Sequence, residues 1–104
     1  MSDPMRIRAQ AQTGGGAVVR VLMSHEMETG QRTGADGKVI AAWHITEVVA
    51  ALNGKTVWSA QWGTAISKNP FTQFTLKSAR PGDKVSVSWV DNRGDKRSDE
   101  AVIA

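Results

Sequence analysis

The chain of 104 residues contains no cysteine. That absence excludes a disulfide framework, a cysteine-based zinc site and any covalent chemistry that runs through a thiol. No apolar run approaches the length a membrane span requires, so no membrane partner is expected. The opening Met1-Ser2-Asp3-Pro4 has neither the basic nor the apolar region of a signal peptide, and taken alone the sequence reads as cytosolic. Charge of one sign is scarce as well. The net charge is +3, from 13 basic and 10 acidic residues. Arg6, Arg8, Arg20, Arg32, Lys38, Lys55, Lys68, Lys77 and Lys84 are spread along the chain and mixed with acids. Arg93, Lys96 and Arg97 do come close together, but Asp91, Asp95, Asp99 and Glu100 surround them. A solvated, mixed-sign surface is the expectation, not a nucleic-acid interface.

What the chain does have is period-two patterning. Apolar residues make up 40% of it, enough for a packed core, and its length fits one domain over residues 1–104. In Met5–Gln12 small or apolar residues alternate strictly with polar ones, as in a strand with one buried face. Thr13-Gly14-Gly15-Gly16 breaks that run, and the apolar, β-branched Ala17–Met23 reads as a central strand. Ser24–Ala42 is long and weakly patterned; loops of that kind in compact domains are usually functional or disordered. Trp43–Leu52 has strand character, although a short helix fits too. Asn53-Gly54 then predicts a hairpin into Lys55–Trp62, which favours the strand.

Phe71–Lys77 alternates again, with Thr72, Phe74 and Leu76 on one face. Pro81-Gly82 turns the chain into Lys84–Val90, where Val85, Val87 and Trp89 face inward. Asp91–Asp95 reverses it into a last strand, Lys96–Ile103. Seven short strands with regular turns predict an all-β, immunoglobulin-like antiparallel sandwich of two sheets.

Chemistry-bearing patterns are few. Ser24 and His25 are neighbours, so on a strand they point to opposite faces and cannot form a nucleophile–base pair. Asp91, Asp95, Asp99 and Glu100 read as solvated loop charge, with Asp91 or Asn92 closing an Asx-type turn. No catalytic, cofactor-binding or metal residues are expected. The sharpest alternative is a periplasmic copper-binding sandwich. Met23, His25 and Met27 share a face at a spacing of about 7 Å, and thioether and imidazole ligands suit copper(I). Against it, Met23 fits a core, Met27 a gap-filler or interface residue, and His25 a partner of the backbone.

Tryptophan is over-used: four Trp against two Phe and no Tyr. Trp89 fits the core, and Trp58 and Trp62 share a strand face. With Trp43 they exceed what a small sandwich usually places inside, which makes them either core or interface anchors. Met23, His25, Met27, Trp43, Trp58 and Trp62 are therefore the partner-interface candidates.

Five stretches carry a family resemblance: Met23-Ser24-His25-Glu26-Met27-Glu28-Thr29-Gly30, Asn53-Gly54-Lys55, Ser67-Lys68-Asn69-Pro70-Phe71, Pro81-Gly82-Asp83-Lys84 and Trp89-Val90-Asp91-Asn92-Arg93-Gly94. In order and spacing they resemble SoxZ, one half of the SoxYZ sulfur-carrier complex of thiosulfate oxidation. Glu26 departs from the pattern, standing where many such chains have proline. The resemblance implies an immunoglobulin-like, non-catalytic subunit that pairs with SoxY as a heterodimer. It implies that SoxY carries the sulfur intermediate on the cysteine of a Gly-Gly-Cys-Gly-Gly arm, and that the pair makes transient contacts with the Sox enzymes. It further implies a periplasmic location reached by co-export with the signal-bearing partner. The Ser24–Ala42 segment is a second candidate for contact with those enzymes.

Overall fold

The structure, a computed structural model, describes residues 3–104. Met1 and Ser2, on which the reading of the amino terminus partly rests, lie outside the described residues. Seven strands follow in order: β1 (Arg6–Ala11), β2 (Ala17–Leu22), β3 (Ile45–Leu52), β4 (Lys55–Gln61), β5 (Phe71–Leu76), β6 (Lys84–Asp91) and β7 (Lys96–Val102). They form two antiparallel sheets, ordered β1-β2-β5 and β4-β3-β6-β7. The expected two-sheet sandwich is borne out.

Alternation builds the core. Val19 and Val21 of β2, Phe74 and Leu76 of β5, and Val85, Val87 and Trp89 of β6 point inward. In β3 the inward residues are Ile45, Val48 and Ala50. Ile45 and Val48 are three apart and would face opposite ways in a regular strand. A register shift against β6 between Ile45 and Glu47 inserts Thr46 as the extra residue and lets both point inward. The strand also begins two residues later than the patterning predicts: Trp43 and His44 precede β3, and Trp43 instead forms an isolated bridge with Glu28.

The two sides of the sandwich are closed differently. At the β1/β7 side the Ala11 amide donates to the Ala104 carbonyl at 2.9 Å and the Ala104 amide to Ala9 at 3.0 Å. The Met5 amide adds a 3.0 Å bond to the Asp99 carboxylate. At the β4/β5 side the Trp58 ring stacks on Phe74, with centroids 4.7 Å apart and planes 8° from parallel.

Turn chemistry sets the connections. Asn53 and Gly54 both have positive φ, 50° and 86°, as a two-residue hairpin between β3 and β4 requires. Gly16 has φ 80°, and a Cβ there would stand 2.8 Å from the Leu76 carbonyl oxygen. Gly14 has φ 89° but open space around it. Both positions strain an L-residue, so comparing them isolates the clash. Gly16→Ala should be less stable than Gly14→Ala by about 1–3 kcal/mol, measured by urea unfolding. Equal losses would mean that Gly16 is required for its dihedral angle alone.

Candidate functional site

Beyond β2 the chain continues inward: Met23, His25 and Met27 are buried, and Ser24 and Glu26 are more exposed. The Met23 amide donates to the Pro70 carbonyl at 2.8 Å, and the Asn69 amide to the His25 carbonyl at 2.9 Å. The Asn69 side chain accepts the His25 amide at 3.1 Å. Residues 67–70 thus act as a splint for residues 23–25. Met27 then turns the chain with φ 52°.

The end of β6 supplies the counterpart. Asp91 is 3% exposed and His25 is 7% exposed. His25 Nε2 lies 3.0 Å from Asp91 Oδ2, and the Trp43 indole N–H donates to the same oxygen at 2.8 Å. Asp91 Oδ1 accepts the amides of Arg93 and Asp95, each at 2.9 Å. The Met27 amide donates to His25 Nδ1 at 3.1 Å. An amide can only donate, so Nδ1 is the acceptor and Nε2–H donates to Asp91. The imidazole lies 5.0 Å from the Trp43 ring and edge-on to Trp89 at 5.2 Å. The Arg93 guanidinium lies over the Trp43 ring, 4.2 Å from its centroid. Asn92 secures the same segment: its side chain donates to the Ala42 carbonyl at 2.8 Å and accepts the His44 amide at 2.9 Å.

Burial by itself would raise the Asp91 pKa. The hydrogen bonds from His25 and Trp43 and from the backbone of Arg93 and Asp95 outweigh it and hold the group below its ordinary value of 3.8. A cavity of about 480 Å³ opens over the cluster, lined by Ser24, His25, Trp43, Lys68, Trp89 and Arg93 among others. Lys68 is itself paired with Glu26 at 3.3 Å.

This geometry corrects one expectation and bears on two others. Asp91 does close an Asx-type turn, but it is a buried anchor and not solvated loop charge. The pattern held a signal for it: Val85, Val87 and Trp89 alternate inward, and Asp91 is the next position in that series. The hydrogen bonding also weighs against the copper reading. Both ring nitrogens of His25 are already bonded, and the Met27 sulfur accepts the Ile45 amide at 3.3 Å. Met23, His25 and Met27 share a face as expected, but it is the inner one. Their area is buried within this chain. Trp43, Trp58 and Trp62 are half-buried, and Trp58 and Trp62 pack against the core with one side.

The stretches singled out in the sequence gather at two ends of the sandwich. Residues 23–30, 67–71 and 89–94 meet around His25 and Asp91. At the other end the Lys84 amide donates to the Asn53 side chain at 2.9 Å and the Asn53 amide to the Lys84 carbonyl at 2.8 Å. A family model described as sulphur oxidation protein SoxZ matches residues 5–102, nearly the whole chain. The chain belongs to the SoxZ family. No curated protein matches it. Membership of the SoxZ family places the chain in sulfur oxidation and implies a partner within a Sox complex.

In this SoxZ domain the His25–Asp91 pair resembles two thirds of a catalytic triad but lacks its working part. The lone pair that would take a proton, on Nδ1, is occupied by the Met27 amide. The cluster is a brace that ties four chain segments together. Asp91→Asn replaces an acceptor by a donor on one side or the other and sets it against N–H groups. A loss of about 2–5 kcal/mol at neutral pH is expected.

Because the folded pKa is depressed, the Asp91 contribution is complete above the ordinary aspartate value and fades as pH falls through the folded value. The stability gap between wild type and Asp91→Asn should therefore shrink below about pH 4, read by urea unfolding across pH. A gap that stays constant down to strong acid would contradict the assignment.

Proposed function

We propose that this chain is the non-catalytic partner of a cysteine-bearing, SoxY-like carrier subunit in thiosulfate oxidation. One observation carries the reading: the SoxZ family model spans residues 5–102 of a chain that has no thiol. Sulfur bound covalently as a persulfide or thiosulfonate needs a cysteine, so the covalent step belongs to another polypeptide. The role left to this chain is to bind that polypeptide, stabilise it and help present its cysteine arm to the Sox enzymes. The locked imidazole of His25 agrees with a subunit that performs no turnover of its own.

The β4 edge supports the pairing. Trp58 and Trp62 pack one side on the core and leave the other half-exposed, and Val57, the extra residue at the β4 register shift, is 41% exposed. Large, half-exposed aromatics beside an apolar side chain make a suitable hot spot for a stable heterodimer. The pair would work in the periplasm, reached by co-export with the signal-bearing carrier.

Co-expression with a carrier that ends in a cysteine-bearing arm should yield a heterodimer on affinity capture, and this chain purified alone should not consume thiosulfate. Trp62→Ala should weaken the heterodimer by about 2 kcal/mol or more at a temperature where the variant is still folded, measured by titration calorimetry. Turnover by the lone chain, or no pairing at micromolar concentration, would defeat the proposal.

A further inference from the structure

The basic residues that look scattered in the sequence are sorted by the fold. The sheet β1-β2-β5 has no acidic residue in any of its strands, and its three charged residues are Arg6, Arg8 and Arg20. All three are exposed on its outer face. Cross-strand register arranges that face in rungs. Arg6 stands opposite Leu22, and Leu22 opposite Phe71. Two residues along, Arg8 stands opposite Arg20, and Arg20 opposite Gln73. Phe71 is 60% exposed and Leu22 is 40% exposed. The face is therefore cationic toward β1, with an apolar corner at Leu22 and Phe71.

Arg8 and Arg20 are like charges placed directly across an antiparallel pair, an arrangement that destabilises a sheet. Among the described residues, the ion pairs involve Asp91, Glu28, Glu26, Glu100 and Asp99, and none reaches these three arginines. The Arg20 Nε does donate to Gln73 at 3.1 Å, a neutral acceptor that holds the side chain over the sheet without offsetting its charge. By contrast, the β7 edge of the other sheet mixes Lys96, Arg97, Asp99 and Glu100. A local conflict of this kind, kept beside exposed apolar side chains, marks a surface shaped for something other than stability.

We infer that the outer face of β1-β2-β5 docks an acidic protein surface that carries apolar side chains beside its carboxylates. The charge supplies the complement: carboxylates over Arg8 and Arg20 relieve the repulsion, and an apolar side chain covers Leu22 and Phe71. The small number of charges and the polar surround fit a reversible, salt-sensitive contact, not a permanent one. This face is distinct from the Trp58–Trp62 edge assigned to the carrier subunit, and the inference does not depend on that pairing. Nucleic acid is the weaker occupant, because three arginines make few phosphate contacts and Phe71 is the one side chain of the face that could stack on a base, Leu22 beside it having no π-face.

The test titrates the full chain with a random glutamate–tyrosine copolymer, with polyglutamate and with oligothymidylate of matched charge, by isothermal calorimetry at low and high salt. The copolymer should bind most tightly and lose affinity with salt. Arg8→Glu and Arg20→Glu should each weaken it about tenfold, whereas Lys55→Glu, the same change of charge on the other sheet, should leave it nearly unaltered. Phe71→Ser should weaken the copolymer but not polyglutamate. Arg8→Glu should also raise the unfolding midpoint, since it converts the repulsion with Arg20 into an attraction. Equal losses from Lys55→Glu, or tighter binding of oligothymidylate than of the copolymer, would overturn the inference.

Discussion

A carboxylate removed from water must find donors or give up its charge, and Asp91 finds them on three sides. The His25 and Trp43 rings donate to one oxygen and the Arg93 and Asp95 amides to the other. Each donor comes from a piece of chain with no sheet to hold it: the segment after β2, the approach to β3 and the β6–β7 turn. The carboxylate therefore does for loops what ladder hydrogen bonds do for strands. It holds Trp43 beside Arg93, accepts the Nε2–H of the His25 tautomer that the Met27 amide selects, and so positions two of the rings that line the cavity.

That brace and the hairpin contacts of Asn53 with Lys84 sit at opposite ends of β3 and β6. Between them the two central strands run as an ordinary packed sheet. The stretches that carry the resemblance thus lie largely where regular structure ends and specific hydrogen bonds take over. Apolar alternation alone would suit many sandwiches; the polar ties at the two ends select this one.

Function follows from what the scaffold holds out and what it withholds. The histidine that looks reactive has no free lone pair, and the chain has no thiol. What remains available is surface. A half-buried aromatic edge and a face of arginines beside Leu22 and Phe71 differ in chemistry, one suited to lasting burial and the other to reversible, salt-sensitive contact. In the proposed role, a partner that stays bound to the carrier subunit while the enzymes change would use both kinds.

The seven strands, their turns and the inward set Val85, Val87 and Trp89 were legible in the sequence because side-chain alternation and turn residues are local properties. The family was legible from five short stretches, whose spacing is also read along the chain. The absence of a thiol was decisive without any structure.

Three things depended on the fold. Met23, His25 and Met27 alternate as a surface triplet would, yet only the packing of residues 67–70 and β6 against them showed which face was inside. Asp91 and His25 are 66 residues apart, and no local pattern could pair them. Arg6, Arg8 and Arg20 became one surface only when β1 was laid against β2, because strand register decides which distant side chains are neighbours.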